Sequence, residues 1–262
     1  MRKTALLLTA AFLFLAPYAA QAADATPAAS TPAPQPSTFT DAQKAEIETI
    51  VKEYLTTEHP EVLAQGLQNL QKKEQDDADA KSKSAISEAK DRVFNDPHTP
   101  VGGNPKGNVT IVEFFDYQCG YCKMSEEGVE KLLKEDKNIK FIYKDFPILG
   151  PVSGEASKAG LASDKQGKFQ AFHDALLSKK DHLTSEMIYQ TAKEVGLDVD
   201  KLKKDMADPA ISEEIAANLK LGEDVGVRGT PMFIVNDNIF PGALQYQQLK
   251  DAVAAARSPD KK

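Results

Sequence analysis

The sequence predicts an α/β fold: a buried central strand running straight into a helix, a helical insertion further along the chain, and a small α-helical segment in front. Three observations carry this. Val109-Thr110-Ile111-Val112-Glu113-Phe114-Phe115 is a nearly continuous apolar run of β-branched and aromatic residues, the pattern of a strand covered on both faces. A Cys-x-x-Cys pair, Cys119-Gly120-Tyr121-Cys122, follows within a few residues, and Met124, Val129, Leu132 and Leu133 then recur at helical spacing. Far downstream the period returns to that of a strand at Pro231-Met232-Phe233-Ile234-Val235.

The chain opens on Arg2 and Lys3, an apolar run from Ala5 to Leu15, and Ala20-Gln21-Ala22. This order of charge, apolar stretch and small residues is that of a cleaved secretory signal, expected to span residues 1–22. It points to export, into a bacterial periplasm. Without Arg2 and Lys3 the chain holds 30 basic against 39 acidic residues, a net charge of −9, which argues against a nucleic-acid or anionic-membrane surface. Residues 23–38 form a flexible leader rich in Pro and Ala, with Pro27, Pro32, Pro34 and Pro36.

From residue 39 the pattern becomes helical. Thr40 and Gln43 have capping-box spacing, and Ile47, Ile50, Val51, Tyr54 and Leu55 make an apolar stripe. Pro60 suits the first turn of a second helix, with Val62, Leu63, Leu67 and Leu70 as its stripe. Gln71 to Arg92 is charged or small. These pieces cannot enclose a core of their own. Their stripes must pack either on another copy of the segment or on the domain that follows. The first option makes residues 39–92 an oligomerisation domain with a linker helix, in a dimer or trimer.

A second domain is expected over residues 93–257, with a disordered tail at 258–262. Pro100 to Asn108, rich in Gly and Pro, reads as a loop. Ile139–Phe146 alternates as a strand. Helical faces follow at Phe169, Phe172, Leu176 and Leu177, then at Met187, Ile188, Ala192 and Val195, then at Leu202 and Met206, and last at Ile211, Ile215 and Leu219. The chain closes with a turn at Asn236-Asp237-Asn238, Ile239-Phe240, and a helix over Tyr246–Ala256. The order β-α-β, several helices, β-hairpin, α is that of a thioredoxin fold with a helical insertion.

A strand that ends in a turn before a helix puts Cys119 at the helix N-terminus, where backbone N–H groups and the dipole favour an anion. Cys122, three residues on, is placed to attack any disulfide that Cys119 forms, which is the geometry of thiol–disulfide exchange. A structural zinc site would need two histidines beside the only two cysteines, and His59, His98, His173 and His182 offer no close pair. An inert disulfide across so short a loop would be unusual. Neither a metal nor a cofactor is expected, and His173 and His182 read as core or surface residues.

These residues match a known family. Glu113 to Lys123, the preceding Gly103-Asn104-Pro105, and Gly226-Val227-Arg228-Gly229-Thr230-Pro231-Met232-Phe233 resemble DsbA-type disulfide oxidoreductases of the Com1-like and suppressor-of-copper-sensitivity protein C branch. The resemblance runs from about Val93 to Arg257, and the segment from Thr40 to about Leu70 resembles the oligomerisation domain of that branch. It implies that Cys119 attacks and Cys122 resolves. It implies a cis bond before Pro231, exposing the backbone of Thr230 for pairing with substrate, with Gly120 and Tyr121 between the cysteines at the same surface. Glu113 stands where the family has a buried acid that exchanges a proton with Cys122; otherwise it is an outward-facing strand residue. Lys144 is a weakly aligned candidate neighbour of that acid.

Gly120-Tyr121 and Thr230 are the combination of DsbC-type isomerases rather than of the strong oxidants, which carry Pro-His and Val. A tyrosine adds no positive charge beside Cys119, so the pair should be less oxidising. The expected activity is therefore disulfide isomerisation in exported proteins carrying thiols or disulfides, with a membrane thiol reductase or oxidase as redox partner. A dithiol oxidase, or a chaperone or copper-binding stress protein, are the alternatives.

Overall fold

The computed structural model describes residues 38–258. The expected signal peptide, nearly all of the leader and residues 259–262 lie outside them. Two compact units divide between Val62 and Leu63.

In the first unit, helix α1 (Asp41–Glu53) starts at the expected capping box: the Gln43 amide donates to Thr40 Oγ1 at 3.3 Å and the Thr40 amide to Gln43 Oε1 at 2.9 Å. A π-helical turn, Tyr54–Glu58, follows and ends where His59 leaves helical geometry before Pro60. Helix α2 runs over Pro60–Glu88, so the second amphipathic segment and the polar rod are one 29-residue helix. Lys72–Asp76, Lys73–Asp77 and Gln75–Asp79 bridge successive turns of its polar half, the spacing that supports an exposed helix with no apolar stripe.

The second unit is built on a five-stranded sheet of order β1-β3-β2-β4-β5. The strands are β1 (Val101–Gly103), β2 (Val109–Phe115), β3 (Ile139–Asp145), β4 (Met232–Val235) and β5 (Asn238–Pro241). Only the β2–β3 pair is parallel. Helix α4 (Gly120–Glu135) joins those two strands. Between β3 and β4 stands the insertion: α5 (Pro151–Asp164), α6 (Phe169–Leu177), α7 (Ser185–Glu194), α8 (Val199–Met206) and α9 (Pro209–Val225). Helix α10 (Tyr246–Arg257) closes the chain.

Strand β1 corrects the loop expected over Pro100–Asn108. Its two glycines carry a turn signal that outweighs three residues of edge pairing. Gly103 takes φ +66°, and a Cβ there would stand 2.5 Å from the Ile139 carbonyl oxygen. Gly103→Ala is expected to cost about 2–4 kcal/mol, from the left-handed backbone and the clash together, seen as a lower urea midpoint with an unchanged slope.

Side chains alternate along β2, so its two faces serve two cores. Ile111 and Phe115 belong to the larger core, with α4, α10 and the insertion. Val112 and Phe114 belong to the smaller one, with Val225 and Met232. Ile86 at the end of α2, Ala89, and Val93 in α3 (Lys90–Phe94) complete that second core. Residues on the linker side of the expected border at 92/93 therefore cover the sheet. Helix α5 buries Ala156, Ala159 and Ala162, and such small side chains leave little apolar periodicity to read.

Candidate active site

Strand β2 ends at Phe115, and Asp116 makes the turn that follows. Its Oδ1 accepts the Gln118 amide at 2.8 Å, and its Oδ2 accepts the amides of Ile148 and Leu149 at 2.8 and 2.9 Å. The Cys119 amide donates to the Asp116 carbonyl at 2.9 Å. Gln118 ties the same turn to the insertion, its Oε1 accepting the Leu183 amide at 2.7 Å. One buried carboxylate thus fixes the strand-to-helix turn and the loop after β3. Sequence reasoning passed over Asp116; the signal was an Asp directly after a strand, the residue type that bonds the amide two positions on.

Cys119 is the N-cap of α4, in extended backbone geometry. It keeps 6 % of its surface exposed and Cys122 only 1 %, so the first sulfur lies at the rim and the second beneath it. Both are free thiols. The thiol of Cys122 donates to the Cys119 sulfur; the Thr230 side chain and the amides of Cys122 and Tyr121 add to this. Together they overcome partial burial and draw the Cys119 pKa down to about 5. Burial, donation to Cys119 and the nearby Glu113 carboxyl push Cys122 strongly the other way. The two sulfurs therefore divide their roles at neutral pH: one thiolate near the surface and one thiol below.

The Thr230–Pro231 bond is cis. It sets the Thr230 carbonyl 3.1 Å from Cys119 Sγ, which donates to it in the thiol form. Pro231 is buried and Thr230 half-buried. Gly120 is exposed with open space around it, and Tyr121 projects at 63 % exposure. Met124, Ile148 and Leu149 are exposed apolar neighbours in α4 and in the loop held by Asp116. A groove of about 640 Å³ runs beside Thr230 and Pro231, with Gln75, Asp79 and Ser82 of α2 along one wall.

Glu113 is buried on the same sheet face as Ile111 and Phe115. Its Oε2 has no hydrogen-bond partner among the described residues. Burial, then Glu126 and Cys119, hold its carboxyl well above the usual carboxylate range, so it carries its proton at neutral pH. Lys144 does not join it. Lys144 pairs with Phe114 in the β2–β3 register, on the opposite face, and its ammonium bonds Asp96 Oδ2 at 2.9 Å and the Thr99 hydroxyl.

A depressed-pKa thiolate at a helix N-terminus, a partner thiol behind it and the Thr230 carbonyl beside it are an arrangement chemically suited to thiol–disulfide exchange. The family profile described as Thioredoxin matches residues 95–255. The chain belongs to the thioredoxin family. A second profile, described as the copper resistance protein ScsC N-terminal domain, matches residues 43–76.

Among solved structures, this thioredoxin-family chain is 43 % identical to a thioredoxin-like oxidoreductase from Silicibacter pomeroyi DSS-3, covering 64 % of this chain and 97 % of that one at a TM-score of 0.62. A linker-deletion mutant of ScsC from Proteus mirabilis is 27 % identical, with 86 % of this chain and 100 % of that one covered and a TM-score of 0.64. A probable disulfide bond formation protein D from Bacillus cereus is 31 % identical over 150 residues, 52 % of this chain and 69 % of that protein. Other curated relatives include Na⁺/H⁺ antiporters, of which the chain spans about a quarter of the length, 24 % in the Salinispora tropica protein. The thioredoxin fold, its N-terminal helical region and the likeness to the DsbA-type and ScsC branch thus stand as the sequence implied, and the family is that of thioredoxin-like thiol–disulfide oxidoreductases. No helix among the described residues is long and apolar enough to cross a membrane.

Proposed function

We propose that the protein is an exported, homo-oligomeric disulfide isomerase. Cys119 thiolate attacks a disulfide of an exported protein; a mixed disulfide forms and the displaced substrate sulfur leaves as thiolate. Rearrangement within the held substrate then expels Cys119, or Cys122 attacks the mixed disulfide and leaves the enzyme oxidised. When Cys122 attacks, its proton passes to the departing substrate thiolate; Glu113, which holds its own proton, gives it to the Cys122 sulfur when an enzyme disulfide opens and that sulfur leaves as thiolate. Thr230 pairs with the substrate backbone, Pro231 holds that carbonyl beside the sulfur, and Gly120 with Tyr121 borders the bound chain. The observation that carries the chemistry is the Cys119 sulfur, drawn to a pKa of about 5 between its partner thiol and Thr230.

The isomerase direction draws support from the helical region. Ile47, Ile50, Val51 and Tyr54 on the first helical segment, and Val62, Leu63, Leu67 and Leu70 on α2, are 41–58 % exposed in the single chain, two apolar stripes each suited to packing on another copy. An oligomer would set two or three active sites around one misfolded substrate, and a periplasmic membrane thiol reductase would keep them reduced.

A second reading, dithiol oxidase, draws on the same sulfur. A thiolate stabilised in the reduced form makes the disulfide a stronger oxidant. Because the folded Cys119 pKa lies below that of an unfolded cysteine, this stabilisation is complete above about pH 8.5 and is lost as pH falls through about 5. The gap in melting temperature between reduced and disulfide forms should change over that window.

Reactivation of scrambled, fully oxidised ribonuclease by the reduced protein decides between them. An isomerase restores activity; a protein active only on reduced ribonuclease is an oxidase. Cys122→Ala tests the site itself: without the donated thiol, the Cys119 midpoint should rise above 5 toward that of free cysteine, read from the pH dependence of alkylation.

A further inference from the structure

Behind the dithiol lies a cluster that disulfide exchange does not use. Glu126, on α4 one helical turn beyond Cys122, faces His173 and Asp174 of α6, and one ligand atom from each lies within 4.8 Å of the others. His173 is fully buried, with its Nε2 lacking a hydrogen-bond partner and 3.6 Å from Glu126 Oε2. Glu126 Oε1, also buried, has no partner either among the described residues.

The imidazole is held rigidly. Its Nδ1 lies 3.1 Å from the Tyr117 hydroxyl. Phe115, Tyr143 and Phe169 pack around the ring with centroids 4.8, 4.6 and 5.3 Å away. In the tautomer whose Nδ1–H donates to the Tyr117 hydroxyl, Nε2 carries a bare lone pair 3.6 Å from Glu126 Oε2. Asp174 is oriented in turn by the Gln170 side-chain amide, which donates to its Oδ1 at 2.6 Å. His173 and Asp174 thus each have a hydrogen-bond partner behind them, the arrangement that fixes metal-binding side chains.

We propose that Glu126, His173 and Asp174 form a binding site for a divalent cation of the zinc type. One neutral nitrogen and two carboxylates neutralise a +2 charge and suit that ion's preference for N and O donors. Ligand atoms around tetrahedral zinc stand about 3.3 Å apart, so the Nε2–Oε2 separation is near its bound value and Asp174 closes by a side-chain adjustment. Asp174 is half-buried, which gives the ion an entry and leaves a fourth position for water. The bound ion would tie the insertion to the active-site helix. The competing arrangement is a metal-free ion pair of His173 with Glu126, with Lys134, whose charge also acts on Asp174 and Glu126, as the remaining cation.

The test uses the full-length protein with Cys119 and Cys122 joined as a disulfide, so that thiols take no zinc, after treatment with a chelator. Zinc chloride is titrated in by calorimetry while the histidine ring nitrogens are followed by NMR. One equivalent per chain is expected, with the His173 Nε2 resonance shifting as zinc is added. Asp174→Asn and Glu126→Gln should each weaken binding by at least about tenfold. Sub-stoichiometric uptake would overturn the site. So would binding that both variants leave unchanged, as from His59 and Glu61, which lie 2.9 Å apart. A His173 ring that stays imidazolium at saturating zinc would also overturn it, and that wild-type reading decides the matter should a variant fail to fold.

Discussion

Cys122→Ser turns the protein into a trap. Cys119 still attacks a substrate disulfide, but no second thiol lies beneath it to resolve the intermediate, so mixed disulfides accumulate with exported proteins of the host. On non-reducing gels these should appear as a ladder of adducts that collapses with reductant. Cys119→Ser is expected to give no adducts and to lower exchange by about three orders of magnitude or more, because an alkoxide is not accessible at neutral pH and Cys122 is 1 % exposed. Absence of adducts in the Cys122→Ser protein would remove the support for Cys119 as the attacking sulfur.

Deleting residues 1–71 is the second large effect. The cut removes all eight exposed apolar residues of the two stripes and keeps Ile86, Ala89 and Val93 over the sheet. A folded monomer should result, still oxidising small dithiols but no longer reactivating scrambled ribonuclease. Light scattering checks the first expectation and the ribonuclease assay the second. A full-length protein that is already monomeric would contradict the oligomer. Cutting instead after Arg92, at the border expected from the sequence, strips Ile86 and Ala89 from Val112 and Phe114. That should cost about 3–5 kcal/mol, since the sheet's second face would then meet water.

What was legible in the sequence followed from local pattern. The apolar run of β2, the spacing of the cysteines, Thr40 with Gln43, and Pro60 at the head of α2 each carry their structure within a few residues, and all four take the expected local form. The features that escaped depend on distant partners. Strand β1 exists only because β3 offers it an edge, against the preference of its glycines. Ile86 looks like a lone apolar residue on a polar rod until Phe114 and Val225 appear beneath it. Asp116 shows its importance only when the amides of Ile148 and Leu149, more than thirty residues away, converge on it. His173, read as core or surface, does lie in the core, but its meeting with Glu126 requires the insertion to fold back on α4.

The strand register also decides a question that alignment left open. Glu113 and Lys144 belong to adjacent strands, yet Glu113 is opposite Tyr143 and Lys144 opposite Phe114, so the two side chains leave the sheet on opposite faces. The acid near the cysteines thus has no lysine to hold it ionised, and burial keeps its proton on.

The most direct measurement is the pH dependence of alkylation of Cys119 in the folded, reduced protein, with Cys122 replaced by serine so that a single sulfur reports and a donor hydroxyl remains. A thiolate held at the α4 N-terminus beside Thr230 predicts a midpoint near 5, with reagent reaching the sulfur in the native molecule. A midpoint near 8.5, that of free cysteine, or a sulfur closed to reagent until the protein unfolds, would contradict it.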